Sequence, residues 1–289
     1  MFTISNSQLE VQVAAKGAEL QSIVHKQNGL EYLWSGDAAY WGKKSPVLFP
    51  VVGGLKNNQY QYNGKTYELG RHGFARDLAF EVTHQAADTI VFTLYSSAET
   101  LGRYPFHFQF SVQYTLYHNQ LAVEYIVENL GHELQWFSVG GHPAFKLPLV
   151  EGTAFSDYYL SFNHTENSSR WPLSAEGLIE KASLPFLNNT RQLPLQKSLF
   201  YEDAIVFKDL QSDAISIQSN VTKHGLTVHF PGFPYMGVWC TKDADFVCIE
   251  PWLGIADSVD ASGKLEEKEG IHSLDAHQSF RKGWSVEFF

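Results

Sequence analysis

The sequence predicts an all-β protein, a large antiparallel β-sandwich. Short runs in which apolar and polar residues alternate recur at near-regular intervals, separated by Gly and Pro turns. Aromatic residues make up 15% of the 289 residues, a content that suits packing between sheets. Neither a solenoid repeat nor a domain linker is found, so we expect residues 1–289 to form a single domain.

The N-terminal segment predicts strands joined by tight turns. Alternating apolar residues between Ile4 and Val13, and a second run ending at Val24, indicate two strands. Asn28-Gly29 is a hairpin signal before Tyr32-Leu33. These residues therefore predict a strand, a turn and a hairpin in succession.

The next segment, Lys43–Gly54, is apolar at its centre but carries two prolines. A central strand would not tolerate Pro46 and Pro50, because proline cannot donate to the ladder. We interpret the segment as buried and irregular, either lining a site or crossing the core as a loop.

A hairpin over Gln59–Leu69, with Asn63-Gly64 at its turn, leads into a compact basic loop. This loop, Gly70–Arg76, holds His72 and two arginines, Arg71 and Arg76. Its glycines allow close backbone approach to a ligand, and guanidinium groups suit hydroxyl pairs, carboxylates or phosphates. The loop is a candidate site, with a solvated basic loop as the alternative.

The following segments predict more strands and one short helical piece. Strict alternation of apolar and polar side chains predicts a long hairpin over residues 106–116 and 121–127, with one face exposed to water. Further strands are predicted at 80–82, 89–95, 158–162, 204–207, 214–217, 226–230, 237–240 and 284–288, a short helical turn within 96–104, long loops elsewhere in 148–200, and an exposed polar loop at 257–270.

A carboxylate and an imidazole side chain each stand beside a predicted strand. Phe246–Ile249 is an apolar run that ends in Glu250, followed by Pro251, which favours an extended Glu250, and by Trp252. A partly desolvated carboxylate there suits a general base, although this stretch alone slightly favours a Glu paired with Arg or Lys at the edge of the core. His142 follows Gly140-Gly141 and precedes proline, which suggests a strand ending at a concave surface, or a core histidine bonded to a backbone carbonyl.

Composition excludes several classes of protein. A formal net charge of −10 argues against binding nucleic acid or an anionic membrane. No apolar run approaches the roughly 20 residues of a membrane span, and the N-terminus lacks the pattern of a signal peptide, so a cytoplasmic location is expected. The sequence gives no indication of oligomeric state.

Cofactor and metal motifs are also missing from the sequence. There is no phosphate-binding glycine loop, Rossmann fingerprint or Gly-x-Ser-x-Gly motif, and no His-x-His or His-Glu-x-x-His among the 12 histidines. Cys240 and Cys248 are predicted to be free, buried thiols. We therefore expect no cofactor and no metal, and acid–base chemistry on a polyhydroxylated ligand.

Five short motifs, in order along the chain, resemble the aldose 1-epimerase (galactose mutarotase-like) superfamily, and its LacX-like branch most closely. They are Pro46-Val-Leu-Phe-Pro50, Gly64-Lys-Thr-Tyr67, His72-Gly-Phe-Ala-Arg76, Gly141-His-Pro-Ala-Phe145 and Cys248-Ile-Glu-Pro-Trp252. The resemblance implies a β-supersandwich, a cleft for a hexose, no cofactor, and interconversion of α and β anomers.

The resemblance also implies roles for individual residues. Glu250 matches the general base that takes the proton of the C1 hydroxyl, and His142 matches the acid that protonates the ring oxygen. His72 and Asp203 match groups that hold the sugar, and Arg71, Arg76 and Trp252 are further candidates for substrate binding.

One departure bears on substrate identity. The family's sugar-binding arginine would fall at Gly54, and Lys56 or Arg71 is a candidate to replace it. Two alternatives therefore stay open. The first is a hexose-6-phosphate mutarotase, with Arg71, Arg76, Lys43 and Lys44 as phosphate-binding candidates, and the second is a sugar-binding module without turnover.

Overall fold

A computed structural model describes all of residues 1–289 and consists almost entirely of antiparallel β-strands. In chain order the strands are β1 (Phe2–Ser5), β2 (Leu9–Val13), β3 (Leu20–His25), β4 (Leu30–Glu31), β5 (Val47–Leu48), β6 (Gln59–Tyr62), β7 (Lys65–Glu68), β8 (Glu81–Gln85), β9 (Thr89–Tyr95), β10 (Phe108–Tyr117), β11 (Gln120–Asn129), β12 (Gln135–Phe137), β13 (Val139–Gly141), β14 (Ala144–Lys146), β15 (Tyr158–Glu166), β16 (Ser169–Arg170), β17 (Leu184–Pro185), β18 (Thr190–Pro194), β19 (Ile205–Phe207), β20 (Ala214–Ser219), β21 (Leu226–His229), β22 (Tyr235–Trp239), β23 (Phe246–Leu253), β24 (His272–Leu274) and β25 (Ser279–Phe288).

Helices are few and short. The α-helix α1 covers Ala98–Arg103, within the predicted helical piece, and Ser97 caps it by accepting a hydrogen bond from the backbone N–H of Thr100 at 3.3 Å. The 3₁₀ turns lie at Lys56–Asn58, Ala75–Asp77, Phe155–Asp157, Lys197–Phe200 and Leu265–Glu267. No helix here combines the length and the apolar character needed to cross a membrane.

Two large sheets dominate the architecture. A nine-stranded sheet has the order β18-β15-β20-β21-β25-β11-β10-β9-β8. A six-stranded sheet has the order β19-β22-β23-β13-β5, with β14 also pairing to β23. A four-stranded sheet, β1-β2-β3-β4, and three two-stranded pairs complete the fold, so the predicted antiparallel sandwich is confirmed.

The apolar core lies between the two large sheets. Phe49, just after β5, stacks on Phe110 of β10 with ring centroids 4.2 Å apart. Gly141 of β13 packs against the nine-stranded sheet so closely that a Cβ there would lie 2.8 Å from the Tyr125 hydroxyl. The buried core cluster draws side chains from Ile4 to Phe288.

The predicted strands and hairpins agree with the structure, with four differences. The run Ile4–Val13 is not one strand but the antiparallel pair β1 and β2, because the chain turns back between Ser5 and Leu9. β23 does not end at Glu250 but continues through Trp252 to Leu253, with all eight residues buried. The second face of the β10–β11 hairpin is only partly exposed, because the Ser111 and Thr93 hydroxyls bond each other at 2.8 Å across the sheet. The segment 257–270 is not wholly exposed, because Asp257 and Lys268 form a buried ion pair at 2.8 Å.

Candidate active site

A cleft of about 620 Å³ opens beside the six-stranded sheet, a size that suits a small organic ligand. Seven of the residues that the sequence singled out for catalysis or binding line this one cleft: Arg71, His72, Arg76, His142, Asp203, Glu250 and Trp252. Their roles in catalysis and binding stay predictions, but the fold does bring these side chains together.

Glu250 and His142 form the centre of the cleft. β23 carries Glu250, and β13, which pairs with β23, ends one residue before His142. The Glu250 Oε2 and the His142 Nε2 lie 3.2 Å apart, although this oxygen has no hydrogen bond of good geometry. Glu250 makes no ion pair with Arg or Lys, and the His142 Nδ1 has no partner. Glu250 is therefore not paired with Arg or Lys, and no hydrogen bond of good geometry joins the His142 ring to a backbone carbonyl.

Burial holds the pair in its neutral form. It raises the pKa of Glu250 well above its usual range, and the nearby Asp203 carboxylate acts in the same direction, whereas Trp252 and Arg71 oppose it. Burial also lowers the pKa of His142 to about 3, and Arg76 and Arg71 lower it further, although the polar backbone of His142 itself acts in the opposite direction. The two opposite displacements favour a protonated Glu250 beside a neutral His142.

Two tryptophans fix the imidazole of His142. Trp41 lies nearly parallel to it, with ring centroids 4.9 Å apart and an angle of 31°. Trp239 of β22 meets it edge-on, at 5.5 Å and 84°. These contacts restrict rotation of the ring away from Glu250, so packing holds the two side chains in their relative position.

His72 is held by the backbone of the irregular segment that precedes it. Its own backbone is left-handed, at a φ of 67°, and its Nδ1 accepts a hydrogen bond from the N–H of Gly53 at 3.1 Å. Burial lowers the pKa of His72 well below its usual range, and the neighbouring His142 lowers it further. A neutral His72 that accepts at Nδ1 carries its proton on Nε2, where it can donate to a ligand oxygen.

Arg71 reaches across the cleft wall to Gly177. Its Nη2 would lie 1.3 Å from a Cβ at Gly177, and it donates to the Glu176 carbonyl at 3.5 Å. A Cβ at Gly54 would also face Gly177, at 3.5 Å from its carbonyl oxygen. The Arg71 guanidinium therefore lies near the side of the cleft where an arginine at position 54 would enter, whereas Lys56 lies outside the cleft lining.

The other basic candidates are engaged elsewhere. The Arg76 Nη2 donates to the Arg71 carbonyl at 2.9 Å, and its Nε lies 3.7 Å from the Asp77 carboxylate. Lys43 pairs with Asp77 at 3.3 Å, and Lys44 donates to the Gln21 carbonyl at 2.7 Å. Of the four phosphate-binding candidates, only Arg71 and Arg76 line the cleft.

Asp203 stands on the opposite wall in an unusual backbone conformation. Its φ is 140°, a region that favours glycine, and its Oδ1 accepts from the N–H of Ala204 at 2.7 Å. A strained residue with a carboxylate in a cleft is typical of a ligand-binding position.

Trp252 forms part of the floor. Its indole packs over the two neighbouring strands at positions where both carry glycine. A Cβ at Gly140 would lie 2.8 Å from the indole, and a Cβ at Gly237 would lie 2.5 Å from it. Its Nε1 is buried and makes no hydrogen bond of good geometry, although it lies close enough to the Glu250 carboxyl to lower the pKa of that group. A donor in that state is available to a ligand oxygen.

Sequence reasoning missed three residues here. Trp41 and Trp239 showed no pattern beyond being aromatic, and only the fold places them against His142. Cys248 was interpreted as a small apolar residue, and it is buried as predicted. Yet its Sγ lies within 4.8 Å of ligand atoms of both His142 and Glu250, a set of groups that could hold a metal ion.

Comparison with known proteins places this geometry in context. The sequence profile of a family described as aldose 1-epimerase matches residues 1–270. The chromosomal LacX protein of Lactococcus lactis subsp. lactis is 34% identical over 98% of this chain and 97% of its own.

Two solved structures are also similar. A galactose mutarotase related enzyme from Lactobacillus acidophilus superposes with a TM-score of 0.96 at 36% identity, covering 100% of this chain and 97% of that one. A galactose mutarotase-like protein from Lactobacillus casei gives a TM-score of 0.94 at 30% identity, covering 100% of both chains. The resemblance seen in the sequence motifs is confirmed.

Proposed function

Because the chain belongs to the aldose 1-epimerase family, we propose that it is a mutarotase that interconverts the α and β anomers of a free hexose. Glu250 acts as general base and His142 as general acid. His72, Asp203, Arg71, Arg76 and Trp252 bind the sugar hydroxyls. The reaction needs no cofactor.

The observation that carries this proposal is the 3.2 Å separation of the Glu250 Oε2 and the His142 Nε2 at the base of the cleft. In a pyranose the ring oxygen and the C1 hydroxyl are bonded to the same carbon. An acid and a base that act on them must therefore reach one carbon from two neighbouring points. Two titratable groups with opposite pKa displacements, facing each other in a cleft, meet that requirement.

The proton transfers balance within the pair. In the reactive tautomer, anionic Glu250 takes the proton of the C1 hydroxyl, the C1–ring-oxygen bond breaks, and protonated His142 gives its proton to the ring oxygen. C1 becomes an aldehyde, and the pair is left as neutral Glu250 and neutral His142, the form that burial favours. After rotation about the C1–C2 bond, the reverse transfers close the ring on the other face.

Polarimetry tests the proposal directly. Freshly dissolved α-D-glucose or α-D-galactose will lose optical rotation faster with the protein than in a matched blank without it. The blank is essential because mutarotation also proceeds in water. Calorimetric sugar binding with no acceleration at any protein concentration would instead identify a sugar-binding module without turnover.

The same pair predicts an unusual pH profile. A second proton on the pair creates a buried positive charge, which His142 accepts only near pH 3. Loss of the shared proton leaves a buried negative charge, which the raised pKa of Glu250 opposes. We therefore expect kcat/KM to stay flat between about pH 5 and pH 7, where an ordinary imidazole titrates near 6.5. An acid limb near pH 6.5 in stopped-flow polarimetry would contradict the assignment of His142.

The position of Arg71 predicts that its loss weakens sugar binding without slowing the chemical step. Gly177→Ala would put a methyl group where the Arg71 Nη2 lies, so we expect KM for the hexose to rise roughly tenfold or more with little change in kcat. Arg71→Ala should have the same effect, and the double variant no more than either. Gly152→Ala is the matched control, because Gly152 has a similar φ of 82° and nothing within 4 Å. An unchanged KM in Gly177→Ala would remove Arg71 from the binding site.

A second candidate substrate is a hexose 6-phosphate, favoured by the two guanidinium groups in the cleft. The contacts of Arg76 with Asp77 and with the Arg71 carbonyl make the free hexose the better fit. Turnover of glucose and glucose 6-phosphate separates the two. A preference for the phosphate that disappears in Arg76→Ala would establish the second substrate, and indifference of both substrates to that change would eliminate it.

A further inference from the structure

Three metal-ligating side chains of different types converge beneath the cleft: His142 and Glu250 line it, and Cys248 is buried behind them. Cys248 precedes Glu250 by two residues on β23, so both side chains project from the same face of the strand. His142 enters from the neighbouring strand, with its Nε2 3.2 Å from the Glu250 Oε2. One ligand atom from each of the three lies within 4.8 Å of the other two.

These separations are close to those of a bound zinc ion. Zinc holds nitrogen, oxygen and sulfur ligands at roughly 2.0–2.3 Å in a tetrahedron, which places neighbouring ligand atoms roughly 3.3–3.7 Å apart. The His142–Glu250 separation already matches, and the sulfur needs to move by only about 1 Å. The Glu250 Oε2 is buried and has no hydrogen-bond partner, so one acceptor oxygen is free to bind an ion between the three side chains.

Charge and ligand type also favour a divalent ion of borderline softness. Binding releases the proton of the Cys248 thiol and the proton of the Glu250 carboxyl group to solvent. The resulting thiolate and carboxylate balance the two charges of the ion, and the neutral imidazole adds none, so the buried centre is neutral overall. Trp41 and Trp239 pack against His142 and hold its ring beside Glu250, and both His142 and Glu250 line the cleft through which an ion would enter.

We propose that the protein binds one Zn²⁺ reversibly through His142, Cys248 and Glu250, and that the bound ion inhibits it by occupying the acid and the base together. The binding half stands by itself. The inhibition half rests on the proposed mutarotase function, so the two are tested by separate measurements.

Calorimetric titration of the metal-free protein with ZnCl₂ tests binding. We expect one ion per chain, and at least about tenfold weaker binding in Cys248→Ala, because a zinc–thiolate bond is lost. Cys240→Ala is the matched control, since Cys240 is the other buried thiol and lies outside the cluster. If Cys248→Ala does not fold by circular dichroism, Cys248→Ser takes its place. Equal affinity in the wild type and the Cys248 variant would overturn the proposal.

Cobalt gives a second readout that does not depend on turnover. Co²⁺ bound in place of zinc should show thiolate-to-metal charge-transfer absorption in the wild type and in Cys240→Ala, and none in the Cys248 variant. An exposed pair, His132 and His277, with ring nitrogens 3.3 Å apart, is a second place where an ion could bind. Loss of zinc binding in His277→Ala would move the site there and refute the cluster.

Polarimetry then tests inhibition. Zinc should slow mutarotation by the wild type and by Cys240→Ala, a chelator should restore it, and Cys248→Ala should resist. Zinc bound through Cys248 without any loss of turnover would overturn the inhibition half alone. If the protein proves to have no mutarotase activity, the calorimetric and cobalt measurements still decide the binding half.

Discussion

Glu250→Gln is expected to lower catalysed mutarotation by about 10²–10⁴-fold, the range over which a positioned general base contributes. The amide keeps the shape of the carboxyl group but cannot take the proton of the C1 hydroxyl. Because Glu250 has no Arg or Lys partner to leave behind, the fold should tolerate the change with a loss of less than about 1 kcal/mol. Initial polarimetric rates above the blank, together with thermal unfolding, measure both effects.

Glu166→Gln is the matched control, because Glu166 is also fully buried but lies outside the cleft. Its carboxylate accepts backbone hydrogen bonds from Gln211 at 3.1 Å and from Ser212 at 2.8 Å. An amide loses one acceptor there, which costs about 1–3 kcal/mol and lowers Tm by several degrees with turnover retained. The opposite result, with Glu250→Gln active and unstable, would show that Glu250 is a structural residue.

His142→Asn is expected to lower kcat by a similar factor of about 10²–10⁴. An asparagine can reach toward the ring oxygen, but its amide does not release a proton to the departing oxygen. The sugar-binding groups are unchanged, so KM should move far less than kcat. Stopped-flow polarimetry over a range of sugar concentrations separates the two parameters.

His25→Asn is the corresponding control. His25 is 8% exposed, as is His142, and its Nδ1 likewise has no partner, but it lies on β3 outside the cleft. We expect this variant to retain kcat whatever happens to its stability. Equal losses of kcat in His25→Asn and His142→Asn would mean that both act through the fold, and His142 would no longer be assigned as the acid.

Local sequence patterns predict most of the fold because they record local physics. The β6–β7 hairpin follows from Asn63-Gly64, both of which have positive φ as a two-residue turn requires. The long β10–β11 hairpin follows from strict alternation of its side chains. The far end of β23 was missed because Pro251 and Gly254 suggested an earlier stop, yet Pro251 is paired with Met236 inside the sheet.

Local sequence patterns do not predict the contacts between side chains within the site. The motif residues could be assigned one by one through their resemblance to a family, but no spacing in the chain indicates that Arg71 lies over Gly177 or that Trp41 stacks on His142. The buried pair of Asp257 and Lys268 was likewise invisible, because burial of a charge depends on the surrounding elements.

The sequence by itself determined that this protein is an antiparallel β-sandwich with a carboxylate and an imidazole beside glycine and proline. Periodicity and turn chemistry act over a few residues, so they can be recognised in the sequence without knowledge of the fold. Only the tertiary structure decided that Glu250 and His142 lie 3.2 Å apart and that Cys248 joins them, because these contacts are set by the order and register of strands distant in the chain.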